Sequence, residues 1–226
     1  MNESIKIKRI LDIFISLVII LLFSPFGIII AFFLKITGEN EIFYLQARIG
    51  KNKKKINIIK FVTMVKNSSN LGAGDITIKD DPRVLPLGKF LRKTKLNEFP
   101  QFINVLIGDM SIVGPRPLVE NQFNMIPKNF QKEIVKLKPG ITSIGSIIFR
   151  DEEKYLIDGS HNSNDFYKLN IVPYKSEVEA WYYKNQSFFM DIKIIFFTAI
   201  SIILPRFNIV KIAFPGVPKN NIFNKR

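Results

Sequence analysis

The chain contains no cysteine and a single histidine, His161, among its 226 residues. The absence of cysteine excludes disulfides, thiolate nucleophiles and cysteine-bound metals, and it fits a reducing compartment. One histidine leaves almost no room for a histidine-based zinc site, and a Ser-His-Asp triad would have to use it. Enzymatic chemistry in this chain would therefore depend on carboxylates, arginine, lysine and, where a metal is used, a hard cation.

Acidic residues are also scarce relative to basic ones. Lys and Arg number 33 against 19 Asp and Glu, which gives a net charge of +14. Such an excess indicates a polyanionic partner: nucleic acid, an anionic membrane surface or phosphorylated substrates. The length and the 47% hydrophobic content suit one domain of ordinary size with an added membrane element.

The N-terminal apolar run has 22 uncharged residues, from Ile13 to Leu34. A helix of that length can cross a hydrocarbon core of about 30 Å, and the run is too long for a simple signal peptide. Basic residues flank both ends, so the positive-inside rule places both ends on the cytoplasmic side. We therefore predict a re-entrant membrane helix in residues 1–36, followed by a cytoplasmic catalytic domain with interfacial helices in residues 37–226.

Ser24 and Pro25 interrupt this run. Pro25 has no N–H for the carbonyl of Leu21, so the helix should kink there, and Ser24 can hydrogen-bond a freed carbonyl in an apolar medium. An ordinary spanning helix with a proline kink is the alternative. At the start of the run, we expect Asp12 to pair with Lys8 and Arg9 on the same helical face.

The remaining pattern predicts an α+β fold that is mostly helical, with one small basic β-hairpin. Residues 194–204 rise only about 17 Å as a helix, which is too short to span, so they lie either at the membrane interface or in the core. The predicted elements are strands 42–48 and 56–62, helix starts at Asp81, Asn97 and Asp151, and helices 172–186 and 188–204.

The densest group of candidate functional residues lies between Arg92 and Pro117. Arg116 stands between two prolines in "GPRP", on a stiff loop suited to bidentate phosphate contact, and Arg92 enters the same region. Glu98 is expected in the first turn of a helix, where the dipole lowers a carboxylate's pKa. A carboxylate beside arginines suits a Mg²⁺-diphosphate site. The alternatives are structural: Asn97 as an N-cap, Glu98 as a first-turn acid and Arg116 as a loop cation.

A series of motifs resembles the monotopic bacterial sugar transferases, the polyprenol-phosphate phosphoglycosyl transferases. The resemblance covers residues 6 to 200, is weaker between 145 and 190, and is most specific in "GDMSIVGPRP". The motifs, in chain order, are "KRILD", the Ser-Pro pair, "FYLQARIG", "KFVTM", "DDPRVLPLGKFLRKTKLNEFPQFINVLIGDMSIVGPRP" and "KPGIT".

This resemblance implies transfer of a sugar 1-phosphate from a UDP-sugar to undecaprenyl phosphate with Mg²⁺, releasing UMP. The reaction would initiate a cell-envelope glycan, such as an exopolysaccharide or O-antigen, at the cytoplasmic face of the bacterial inner membrane. The family's nucleophilic Asp and its metal-assisting Glu match Asn97 and Glu98, and its phosphate-binding arginines match Arg92 and Arg116. Its re-entrant break matches Ser24 and Pro25. The sugar, the pathway and a possible homodimer are left open.

Asn97 departs from the family pattern, because an amide is a very poor nucleophile compared with a carboxylate. Glu98 could be the nucleophile, the lipid phosphate could attack directly, or the chain could be a silent relative that binds polyprenyl phosphate or nucleotide sugar as a scaffold. A nucleic-acid-binding protein would explain the charge but not the apolar run, so no nucleic acid partner is expected.

Overall fold

The computed structural model describes residues 3–71, 81–150, 163–203 and 213–220. Within these ranges the chain is mostly helical, with two small two-stranded sheets, as an α+β class requires. The predicted helix start at Asp151 and His161 lie outside the described residues. The strands are β1 (Phe43–Ile49), β2 (Lys55–Phe61), β3 (Ser111–Val113) and β4 (Gly140–Thr142). The helices are α1 (Glu3–Thr37), α2 (Pro86–Lys93), α3 (Gln101–Ile107), α4 (Glu120–Asn124), α5 (Lys128–Ile134), α6 (Ile144–Ile148), α7 (Ser163–Phe166), α8 (Val172–Lys184) and α9 (Phe188–Ile203), with a π-helical turn at Tyr167–Ile171.

The first sheet is a hairpin of β1 and β2. The strands pair antiparallel from Phe43 opposite Phe61 to Ile49 opposite Lys55. They differ by one residue from the predicted strands 42–48 and 56–62. The connecting turn places Asn52 at φ 55°, a left-handed conformation that Asn tolerates better than most residues. Ile56 and Ile58 of β2 point into the main hydrophobic core.

The second sheet pairs β3 with β4 in parallel. Both strands of this short sheet are mostly buried, and Ile112 and Val113 belong to the same core as Ile56 and Ile58. Helix α9 contacts both strands and buries Ile194 completely, whereas Phe189 and Phe196 on the same helix are exposed. Helix α9 therefore has one core face, as the core alternative predicts, and one exposed apolar face, while its position at a membrane interface stays a prediction.

The N-terminal end of α1 is fixed to the folded part of the chain by polar contacts. Lys8 Nζ lies 2.6 Å from the Asp191 carboxylate, and Arg9 donates to the carbonyls of Val105 and Leu106 at 2.5 and 2.6 Å. These carbonyls belong to the last turn of α3, where cations are favoured.

Asp12 is buried and accepts hydrogen bonds from Ser111 Oγ at 3.0 Å and from the N–H of Ile112 at 2.9 Å. The expected pairing of Asp12 with Lys8 and Arg9 is therefore wrong. The reason is that this face of α1 packs against α3, β3 and α9, so all three polar side chains have tertiary partners.

The middle of α1 contains Pro25 within one continuous helix. Ser24 Oγ donates to the carbonyl of Leu21 at 3.1 Å, which confirms the predicted role of the serine at the proline break. In the described part of the chain, Lys6–Thr37 is the one helix long and apolar enough to cross a membrane, and it is almost entirely unburied. Near its C-terminal end, Leu34 is buried in a cluster with Phe61 and Leu91.

Two predicted helix starts are wrong. Helix α2 begins at Pro86, not at Asp81, because the Asp81 carboxylate binds Arg83 in a buried ion pair of 2.6 Å. Helix α3 begins at Gln101 after a 3₁₀ turn at Leu96–Glu98, and Pro100 precedes its first residue. Asn97 therefore does not begin the helix.

Candidate active site

Four segments meet at the candidate site: β2, α2, the 3₁₀ turn Leu96–Glu98 and the loop after β3. The turn contacts both α2 and β2. Arg116 Nη2 lies 3.6 Å from Glu98 Oε1. The charge of Lys60 acts on this carboxylate, the charge of Glu98 acts on Arg92, and the charge of Arg92 acts on Lys60. The structure thus brings together Glu98, Arg92 and Arg116, which the sequence analysis selected.

The position of Arg116 is set by the backbone on either side of it. Gly114 donates to the carbonyl of Thr142 at 3.0 Å, and the N–H of Gly140 donates to Pro115 at 2.9 Å. A Cβ atom on Gly114 would collide with the carbonyl of Lys138, so only glycine allows this approach of the loop to β4. The guanidinium is half exposed and is free to contact a ligand.

The position of Arg92 is set from α2. Arg92 Nε donates to Thr63 Oγ1 at 3.0 Å. Helix α2 also approaches the backbone of Thr63 so closely that a Cβ atom on Gly88 would collide with it. These contacts hold the Arg92 side chain of α2 against Thr63, in the segment that follows β2.

Glu98 is largely buried but keeps its negative charge. Burial raises the pKa of Glu98, but the nearby charges of Arg116, Lys60 and Lys95 outweigh burial and hold it below the ordinary value. The sequence predicts a helix dipole as the cause of a low pKa at Glu98. The structure attributes it to the cations, because Glu98 lies in a 3₁₀ turn and not in a regular helix.

Lys60 is a site residue that the sequence analysis missed. Burial lowers the pKa of Lys60 to about 8, with the Glu98 charge opposing this shift and the Arg48, Arg116 and Arg92 charges adding to it. Its position on β2 could have identified it from the sequence. Side chains alternate along a strand, so Lys60 faces the same side of β2 as the buried Ile56 and Ile58.

Asn97 is 8% exposed, and its Oδ1 has no hydrogen-bond partner in the described part of the chain. It caps no helix, since the turn that contains it begins after Lys95 and has no side-chain cap. A buried carbonyl oxygen without a partner costs about 1–3 kcal/mol, which points to a ligand at this position.

The donor set at this turn is small. Within the described residues, no group of three or more His, Cys, Asp or Glu side chains could hold a metal by itself. Mg²⁺ typically needs only one or two protein oxygens and takes the others from phosphate and water. The Glu98 carboxylate and Asn97 Oδ1 are oxygen donors of that kind.

The part of α1 that contains Ser24 and Pro25 lies next to this turn. Phe99, the residue after Glu98, packs its ring 6.1 Å from that of Phe23 and against Gly27. Ser24 and Pro25 are therefore flanked on α1 by residues in contact with the Asn97–Glu98 turn. This places an exposed apolar helix beside a cluster of cations.

A protein-family model described as "Bacterial sugar transferase" matches residues 3–205. Among curated relatives, the "UDP-glucose:undecaprenyl-phosphate glucose-1-phosphate transferase" of Klebsiella pneumoniae is 35% identical over 84% of this chain and 39% of its own length. The "UDP-N-acetylgalactosamine-undecaprenyl-phosphate N-acetylgalactosaminephosphotransferase" of Aeromonas hydrophila is 35% identical over 85% and 42%. The "Exopolysaccharide production protein PSS" of Rhizobium leguminosarum bv. phaseoli is 31% identical over 86% and 94%.

The chain thus spans about two fifths of the length of the first two of these relatives. Those two carry different sugars in their names at the same identity, so overall similarity does not select a sugar.

Proposed function

Because this chain belongs to the bacterial sugar transferase family, we propose that it transfers a sugar 1-phosphate from a UDP-sugar to undecaprenyl phosphate and releases UMP. One observation carries this proposal: the ionised Glu98 lies among Arg116, Lys60 and Lys95, beside the apolar helix α1. A cationic cluster suits the phosphates of both substrates, and an exposed apolar helix suits the polyprenyl chain of one of them.

The side chains would act by binding and charge neutralisation. Arg116 presents a planar fork that matches two phosphate oxygens, and Lys60 supplies a point charge that also acts on Glu98. Phosphoryl transfer depends mainly on positioning and on stabilising the charge of the transition state. The cations around Glu98 meet both requirements without an enzyme nucleophile.

The donor set fits Mg²⁺. Glu98 and Asn97 Oδ1 would hold the ion, which supplies further neutralisation of the diphosphate when it is bound. This use explains why the Asn97 oxygen is buried without a protein partner.

We propose direct transfer as the chemical step. A phosphate oxygen of undecaprenyl phosphate attacks the sugar-bearing phosphorus, the bond from that phosphorus to the bridging oxygen breaks, and the electron pair leaves with UMP. Asn97 offers no nucleophile. To act as the nucleophile, Glu98 would have to release its contact with Arg116 and its contact with any bound metal. Both contacts compete with attack on the phosphorus. The reaction would initiate a cell-envelope glycan at the cytoplasmic face of the bacterial inner membrane.

Asn97 also favours a second candidate function. Since it replaces the carboxylate that the family resemblance implies, the chain could bind polyprenyl phosphate or nucleotide sugar without turnover and act as a scaffold.

A homodimer and the absence of a nucleic acid partner stay predictions.

The test is UMP release by the purified protein with a panel of UDP-sugars, undecaprenyl phosphate and Mg²⁺. Glu98→Gln should abolish release, whereas Glu120→Gln, an exposed acid on α4, should leave it unchanged. Asn97→Asp separates the two candidates. Release by the natural sequence supports the transferase, and release by Asn97→Asp alone identifies the natural sequence as the silent form.

A second measurement separates direct transfer from a covalent route. Single-turnover incubation with labelled UDP-sugar in the absence of lipid should leave no label on the natural protein. A protein-bound phosphosugar that disappears in Glu98→Gln would instead identify Glu98 as the nucleophile.

A further inference from the structure

A groove lies beside the candidate active site, on the side of Arg116 that faces α8. Its polar lining comes from the loop after β3, α4, the π-helical turn and α8, and consists of Arg116, Gln122, Tyr167, Lys175, Ser176 and Glu179. Arg116 is shared, since it lines the groove and lies 3.6 Å from Glu98. A molecule whose phosphates are bound by Arg116 can therefore extend into the groove.

Glu179 is the unusual member of this lining. Its side chain belongs to a residue that is only 4% exposed, and neither carboxyl oxygen has a partner in hydrogen-bonding geometry in the described part of the chain. The Ser143 hydroxyl and the Gly145 N–H still act on the carboxyl as hydrogen-bond donors, and a Cβ atom on Gly145 would collide with the carboxyl group. A buried carboxyl without well-formed hydrogen bonds costs stability unless a ligand supplies them.

The protonation of Glu179 restricts the chemistry of that ligand. Burial raises the pKa of Glu179 to about 7, with Ser143, Lys175 and Gly145 acting in the opposite direction. A carboxyl that is partly protonated at neutral pH both donates and accepts hydrogen bonds, as does the amide of Gln122. A pair of hydroxyl groups matches this set.

We propose that this groove binds a hydroxyl-bearing sugar ring joined to the diphosphate, and that Glu179 hydrogen-bonds its hydroxyl groups. The inference rests on the proposed function, in which Arg116 binds the diphosphate of a UDP-sugar. Two rings of that substrate have the required chemistry: the ribose of the nucleotide and the sugar that is transferred. Glu179 is a binding residue in this assignment and takes no part in bond breaking.

Binding measurements on the purified protein in detergent test the proposal. Glu179→Leu, which removes both carboxyl oxygens, should weaken UDP-sugar binding about tenfold or more and leave inorganic pyrophosphate binding unchanged. Glu177→Leu, at an exposed acid on the same helix, is the matched control and should change neither. Binding of UDP by the Glu179 variant distinguishes the two rings. If the groove holds the ribose, the affinity for UDP falls together with the affinity for the UDP-sugar. If the groove holds the transferred sugar, the affinity for UDP stays unchanged.

Gln122→Leu provides a second variant at a partly exposed position, and it decides the matter if Glu179→Leu does not fold. It should also weaken UDP-sugar binding and spare pyrophosphate. Unchanged UDP-sugar affinity in the folded variants, or an equal loss of pyrophosphate affinity, would overturn the assignment. Because the readout is binding, a wild-type protein that binds UDP-sugar through Glu179 but releases no UMP would contradict the proposed function and not this inference.

Discussion

Burial and positive charge act on Glu98 in opposite directions. Its side chain is largely enclosed, yet Arg116, Lys60 and Lys95 hold its pKa below the ordinary value. The same carboxylate favours the charged form of Lys60, whose own burial acts the other way. The charge of each of these groups thus favours the charged form of the other. A substitution of one of them should therefore change the pKa of several residues.

The fork of Arg116 can be tested without removing its charge. Arg116→Lys keeps the cation but loses the bidentate geometry. We expect a loss of about 1–3 kcal/mol of transition-state binding, which corresponds to a kcat/KM for UMP release lower by roughly 5- to 150-fold. Arg150→Lys, at an exposed arginine in the turn that follows α6, is the control. Near-normal turnover in Arg116→Lys would make Arg116 an ordinary loop cation.

Lys60 should give the reaction a pH dependence. Its pKa of about 8 means that its positive charge is present below about pH 8 and is lost as the pH rises through that value. Since kcat/KM reports groups of the free enzyme, kcat/KM for the UDP-sugar should fall above about pH 8. Lys60→Arg keeps the charge and should move this decline to higher pH, whereas the exposed Lys89→Arg should not. An identical alkaline decline in Lys60→Arg would assign it to another group.

The sequence predicted some of these residues and missed others for a physical reason. Arg92, Glu98 and Arg116 lie in one segment, and the family resemblance of that segment singled them out from the structural alternatives that their spacing left open. Lys60 and Glu179 come from a strand and a distant helix, and each is recognisable only when its buried surroundings are known. Burial of a single charged side chain is a tertiary property, and a local pattern does not specify it.

At the scale of elements, Pro25 in the middle of α1 is the most informative feature. Ser24 Oγ satisfies the Leu21 carbonyl that Pro25 cannot, so the helix accommodates the proline in an apolar medium. Pro25→Ala restores the missing N–H and should straighten the helix. Activity should fall while expression persists, and part of the protein should adopt a spanning form in cysteine-accessibility labelling. Unchanged topology and UMP release would show that the Ser-Pro pair is incidental.

The contact between α1 and β3 should be important for stability. Asp12 accepts hydrogen bonds from Ser111 and Ile112, so Asp12→Ala leaves a buried hydroxyl and a buried N–H without an acceptor. Each such loss costs about 1–3 kcal/mol, and for a domain of this size about 1 kcal/mol lowers Tm by roughly 2–4 °C. Thermal unfolding in detergent measures the change, with the exposed Asp165→Ala as control. An unaltered Tm would contradict the role of Asp12.

The boundaries of two helices followed the sequence closely. The predicted helix 172–186 corresponds to Val172–Lys184, and 188–204 to Phe188–Ile203. The prediction at Asp81 failed because an Asp-Pro pair resembles a helix start, while a contact two residues further, to Arg83, uses the Asp81 carboxylate in a turn. Side chains that satisfy one another locally compete with capping.

For the whole molecule, the decisive relation is that α1 contacts the folded part of the chain at both ends. Lys8 binds Asp191 near its start, and Leu34 is buried with Phe61 and Leu91 near its end. The intervening Phe23 and Gly27 contact Phe99. A helix that crossed the bilayer would carry its two ends to opposite sides, away from a single basic domain.

We therefore expect residues 2–8 and the domain after Lys35 to share the cytoplasmic side of the membrane, in agreement with the basic flanks at both ends of α1. The chain has no native cysteine, so Ser4→Cys provides a single reporter, and Lys54→Cys in the exposed turn of the hairpin provides the reference for the domain. In intact cells a membrane-impermeant maleimide should label neither position, and after permeabilisation it should label both. Labelling of Ser4→Cys but not of Lys54→Cys in intact cells would establish a spanning helix. That result would also require the polar contacts of Lys8 and Arg9 to break in the membrane, because Asp191 and the carbonyls of α3 would then lie on the other side.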